Sequence, residues 1–133
     1  MNDPIKTIWE FLTEIGTDLY SLIASRAWCP EASPTWTNAS AAIVYELVDD
    51  GEHGASADRT VLVAFRCYGG SAKTADARRT YDALIDRFRA CEGWTGTNGT
   101  ILTAQRVSGI VGGREDGTEW PVCGATYLVT VSA

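Results

Sequence analysis

At 133 residues the chain has room for one hydrophobic core and not for two. Hydrophobic residues make up 45 % and charged residues 21 %, which excludes a disordered polar chain, and no apolar run approaches the ~20 residues of a membrane-spanning helix. The net charge of −6 is uneven: ten acids against two bases in residues 1–58, seven against nine in residues 59–133, so no strongly basic nucleic-acid surface is expected. That asymmetry suits self-association of an acidic face with a basic one, or simply a solubilising surface. Met1-Asn2-Asp3-Pro4 lacks a basic stretch leading into an apolar one; no signal peptide is read, and a cytoplasmic protein is expected.

Asp3 and Pro4 suit the start of a helix. Ile5, Ile8, Leu12, Ile15, Leu19 and Leu22 then recur at steps of three and four and predict one apolar stripe, with Gly16 as a point of kinking or of breakage into two short helices. Pro30 and Pro34 forbid a regular helix over residues 26–40, which read as a loop or short strand followed by an extended segment. Trp28 and Trp36 lie in that segment and serve either as core pins or as contact anchors. Residues 42–48 and 59–68 read as two strands of an antiparallel hairpin with a polar, acidic tip over residues 49–58. On the second strand Val61, Val63, Phe65 and Cys67 share a face.

Gly69-Gly70-Ser71 ends that strand and is expected to cap a helix with Ala77, Tyr81, Leu84, Phe88 and Cys91 on one side and Gly93 as its stop. Arg78 is placed to pair with Asp82, and Asp86 with Arg89. Strands follow near residues 100–111 and 122–132, separated by the turn-rich Gly112-Gly113-Arg114-Glu115-Asp116-Gly117. The order predicts a single α+β domain over residues 1–133: an antiparallel sheet of about four to five strands with two helices packed on one face.

The search for chemistry yields no constellation. His53 is the sole histidine and sits in a glycine-rich acidic loop, a poor platform for a held catalytic base. Asp49, Asp50 and Glu52 lack calcium-loop spacing, and Gly69-Gly70-Ser71 lacks the lysine and spacing of a phosphate loop. Cys29, Cys67, Cys91 and Cys123 form no C-x-x-C pair and read as buried free thiols. No catalytic residue, metal or cofactor is expected, and the domain reads as non-enzymatic.

Four stretches together carry a resemblance. They are the opening helix ending in Ser25-Arg26-Ala27-Trp28, and the Pro-containing approach to Ala42-Ile43-Val44-Tyr45. With them stand the alternating strand Arg59–Gly69 running into Ala75-Asp76-Ala77-Arg78-Arg79, and the closing Trp120-Pro121 with the final strand. In order and texture the chain resembles the tail-terminator (tail-completion) proteins of long-tailed bacteriophages and related prophages and gene-transfer particles. The resemblance implies a virion protein, assembled in the host cytoplasm, that forms a hexameric ring at the head-proximal end of the tail. Such a ring stops tube polymerisation and joins the tail to the head. It implies the tail-tube protein and the head connector as partners, DNA passing through without specific binding, and no membrane. Under it, the 49–58 loop (Asp49, Asp50, Glu52, His53) and the 112–119 loop (Arg114, Glu115, Asp116) are expected at interfaces or the lumen, with Trp28 and Trp36 as candidate anchors. Rival readings are a head-closure or neck protein, a tail-tube subunit, a small-molecule or peptide binding module, and a hydrolase.

Overall fold

The computed structural model describes residues 3–49, 58–108 and 111–132. Three helices and seven strands run in the order α1 (Pro4–Leu12), α2 (Asp18–Ile23), β1 (Ala27–Trp28), β2 (Ala41–Asp49), β3 (Arg59–Gly69), α3 (Thr74–Phe88), β4 (Trp94–Thr95), β5 (Thr100–Arg106), β6 (Val111–Arg114) and β7 (Pro121–Ser132). The strands form one sheet in the order β1-β2-β3-β7-β5-β4, with β6 also paired to β7. The α+β class holds, but the counts exceed the four to five strands and two helices predicted, and β1 runs parallel to β2 in an otherwise antiparallel sheet.

Each difference has a local cause. The stripe from Ile5 to Leu22 is divided between two short helices, one of the two outcomes expected around Gly16. Asp3 caps α1 through Lys6 N–H, but Gly16 takes φ +94° and Thr17 then caps a separate α2 through Tyr20 N–H. The buried face of α1 is Pro4, Thr7, Ile8, Phe11 and Leu12, whereas Ile5 and Ile15 are 43 % and 80 % exposed. The predicted 100–111 strand divides into β5 and β6, which pair with successive halves of β7. Gly112, Gly113 and Arg114, expected in a turn, are strand residues opposite Cys123, Val122 and Pro121, and the turn lies further on, with Gly117 at φ +91° and Glu119 at φ +60°.

Helix α3 begins after Lys73, not at Ser71. The Ser71 hydroxyl accepts from Lys73 N–H at 3.0 Å and donates to Asp76 Oδ2 at 2.6 Å. It ends at Phe88, before Gly93, whose φ of +80° instead turns the chain into β4. The expected Arg78–Asp82 and Arg89–Asp86 pairs form at 3.0 and 3.1 Å on exposed surface, where each contributes a few tenths of a kcal/mol.

All three helices cover one face of the sheet. Val61, Val63, Phe65 and Cys67 of β3 are buried there opposite Val129, Tyr127, Ala125 and Cys123 of β7, and Val131 of β7 is buried on the same face. Phe65 packs against Tyr45, Phe88 and Tyr127, and Phe88 stacks on Tyr127 at 4.3 Å. All four cysteines are free; Cys67, Cys91 and Cys123 are buried as expected, while Cys29 is half-buried. Burial pushes each of these thiols up, away from the reactive thiolate. No helix among the described residues is long and apolar enough to cross a membrane.

Candidate functional site

The reverse face of the sheet carries a second, smaller aromatic cluster at one end. Segment 29–40 crosses that face as a strap, leaving β1 through a cis Cys29–Pro30 bond. Trp36 is its centre, with ring centroids 5.6 Å from Trp28, 5.1 Å from Tyr68 and 5.3 Å from Trp120, and its indole N–H donates to Ser40 O at 3.0 Å. Asn38, at φ +57°, accepts from Gly70 N–H at 3.0 Å and donates to Ser71 O at 3.2 Å, which fastens the strap to the turn after β3. The Tyr68 hydroxyl donates to Glu115 in a short bond, and burial first, then that bond, pushes the phenol up. Arg114 donates to Glu119 O at 2.9 Å and reaches Ala72 O at 3.4 Å.

Of the residues singled out from sequence, the structure therefore gathers Trp36, Arg114 and Glu115 at one end of the sheet, with Trp28 at their margin and Asp116 exposed on the turn. Asp49 ends β2 at the opposite end, because β3 runs away from it toward Gly69 and the 115–120 turn. Asp50, Glu52 and His53 lie outside the described residues. Asp49 thus stands at the end of the sheet opposite to Arg114, Glu115 and Asp116.

Sequence reasoning missed the bracket that holds the β4–β5 hairpin to α1. Glu10 accepts from Thr97 N–H (2.8 Å), Asn98 N–H (2.9 Å) and the Asn98 side-chain amide (2.6 Å). Glu14 accepts from Trp94 Nε1 at 2.8 Å and Arg87 at 3.2 Å, while Arg87 also caps Phe11 O at 3.0 Å and lies 4.0 Å over the Phe11 ring. Nothing local in the sequence signals it: Glu10 lies on α1 and Glu14 two residues past its end, and their partners are 73 to 88 residues away.

Glu10 titrates below its ordinary value of 4.5: desolvation opposes ionisation, but the donors on Thr97 and Asn98 outweigh it. A carboxylate lowered by folding stabilises fully above its ordinary value, and that stability is lost as pH falls through the folded value. Glu10→Gln is accordingly expected to cost about 1–2 kcal/mol at neutral pH. The difference from the parent should shrink as pH falls below about 4. Urea denaturation at the two pH values checks it; an equal loss at both would show that the charge plays no part.

A groove of about 390 Å³ opens between α1 and the β1 edge, lined by Ile5, Lys6, Trp9, Trp28, Cys29 and neighbours. Its main polar groups are occupied within the chain, since Glu10 bonds Asn98 and Trp9 Nε1 donates to Ala27 O at 3.1 Å. Among the described residues no group of histidine, cysteine or carboxylate side chains is placed to hold a metal.

No protein-family model matches the chain, and no characterised protein matches it in sequence. The fold is similar to that of a chain in a solved structure described as the virion of a native gene transfer agent (GTA) particle. The match has a TM-score of 0.68 at 11 % identity and covers 96 % of this chain and 93 % of the other. At that identity the likeness establishes a common architecture over nearly the full length of both.

Proposed function

We propose that the protein is a structural subunit of a phage-like virion and, within it, a tail terminator. In this reading six copies form a ring on the head-proximal end of the tail tube, halt its growth, and present the surface that the head connector meets. DNA passes through the ring without specific binding, and the protein performs no catalysis. The observation that carries the reading is the architecture shared, end to end, with a chain of a gene transfer agent virion particle. The terminator assignment within that class rests on the resemblance of the opening helix, the Arg59–Gly69 strand running into α3, and the closing strand. A ring built by one repeated heterologous contact terminates by closing, which suits a cap.

Tail-tube protein polymerised with and without the purified chain tests this. Growing tubes are expected to stop at short, uniform lengths, with a ring of extra density at one end in negative stain. Unchanged tube growth and bare ends would reject the terminator role, and incorporation along the tube wall would make the chain a tube subunit instead.

A further inference from the structure

The donors that hold Glu10 belong to Thr97 and Asn98, and the next residue is Gly99. Of Asn2, Asn38 and Asn98, only Asn98 precedes a glycine. That dipeptide is the labile one, because glycine has no side chain to keep its backbone nitrogen from reaching the asparagine Cγ. In the reaction Gly99 N bonds to Asn98 Cγ and the Cγ–Nδ2 bond breaks. Nδ2 leaves as ammonia, carrying the amide proton of Gly99. Water then opens the cyclic imide at one carbonyl or the other. The products are aspartate, or isoaspartate with the main chain routed through Cβ. The fold imposes the labile pair. A Cβ at position 99 would stand 2.7 Å from Ser132 O and 2.8 Å from the hydroxyl oxygen of buried Thr7, so only glycine fits there.

We infer that Asn98 is a deamidation site that Glu10 holds closed, and that once the reaction has occurred the β4–β5 hairpin no longer fastens to α1. The protection is geometric. Glu10 Oε1 accepts both the Asn98 backbone N–H (2.9 Å) and its side-chain amide (2.6 Å). One oxygen serving both draws the carboxamide toward its own backbone nitrogen and away from Gly99 N, on the other side of the residue. Attack therefore needs the bracket to open first. The irreversibility is electrostatic. Either product replaces a donor, 2.6 Å from the ionised Glu10, with a second carboxylate. Only neutral donors surround Glu10, so nothing offsets the repulsion of the like charges. Isoaspartate also lengthens the main chain within the turn closed by Gly96 N–H and Gly99 O at 2.9 Å. The loss spreads along the hairpin, because Trp94 of β4 packs on Phe11 and donates to Glu14 beside the same bracket.

Incubation at mildly alkaline pH, followed by peptide mapping, tests the protection. The folded chain is expected to keep Asn98 while the chain unfolded in urea converts it to aspartate and isoaspartate. Glu10→Gln and Glu10→Ala are each expected to speed conversion in the folded chain about tenfold or more, the effect on opening of losing a bond to a charged group. Trp36→Ala, near the opposite end of β7, controls for general loosening and is expected to convert close to the parent rate. A folded parent as fast as the unfolded chain, Glu10 variants as slow as the parent, or equal acceleration by Trp36→Ala would overturn the inference. Asn98→Asp stands in for the product. Its urea midpoint is expected to fall below the parent's, and Glu10→Gln combined with Asn98→Asp is expected to regain part of the loss, since one like charge is gone. An Asn98→Asp chain as stable as the parent, or no regain in the double variant, would overturn the irreversible step.

Discussion

Gly69→Ala is expected to lose about 3 kcal/mol or more of stability, close to the upper range for overpacking a well-filled core. Gly69 is the last residue of β3 and faces the helical layer, where the first turns of α3 lie directly on its Cα. A Cβ placed there would stand 2.2 Å from the Asp76 carbonyl carbon and 2.3 Å from Ala77 N. Both are backbone atoms of a helix, so no side-chain rotation relieves the clash, and α3 must shift bodily. That shift would loosen the Thr80 hydroxyl bond to Tyr68 O (3.2 Å) and the packing of buried Ala77, Tyr81 and Leu84. Gly93→Ala is the internal comparison. Its φ of +80° is unfavourable for alanine but the space is open, so about 1–2 kcal/mol is expected from backbone conformation alone. Urea denaturation of both variants, with unchanged m-values, checks the difference. Similar losses at the two positions would mean that the approach of α3 to β3 is looser than described.

This glycine also marks where sequence reading succeeds and where it stops. A strand running into a helix through Gly69-Gly70-Ser71 was legible, because alternation ends and a 3.6-residue period begins there. That Gly69 is required by close approach and not by its φ was not legible, since the clash is with residues fixed only by tertiary packing. The long strands were readable for the same reason as the burial of Phe65: β3 and β7 alternate apolar residues toward one covered face. The short strands were not. β1 and β4 have two residues each and carry no period; they exist because neighbours supply backbone partners, as Arg26 O does for Ile43 N–H. The apolar spacing of Ile5 and Ile15 suggested burial along one stripe, yet α1 stops at Leu12 and the chain turns through Gly16 at positive φ into α2, which leaves Ile15 in water. The candidate contact surfaces were the least legible feature. The segments at 49–58 and 112–119 were visible as turn-rich, but the placement of Asp49 and of Glu115 at opposite ends of the sheet follows from strand order, which no local pattern encodes.

Trp36 carries the same ambiguity into a measurable prediction. From sequence it was either a core pin or a contact anchor, and the structure leaves it half-buried, so exposure alone does not decide. Its contacts favour the core pin. It is the common neighbour of Trp28, Tyr68 and Trp120, and its indole N–H is bonded to Ser40 O. An anchor for a partner would hold an unfilled bond and a free ring face, whereas Trp36 uses three ring contacts and its single donor within the chain. Trp36→Ala is therefore expected to cost about 3 kcal/mol, the lower end for removing a large aromatic from packing. The loss should appear as unfastening of the 29–40 strap, with faster proteolysis between Pro30 and Ser40 and a red shift of the remaining tryptophan emission as Trp28 and Trp120 are uncovered. Chemical denaturation and limited proteolysis of the isolated variant measure both. If stability and proteolysis were instead unchanged while ring or tube-end assembly disappeared, Trp36 would be an anchor, and the reverse-face cluster would belong to an interface and not to the fold.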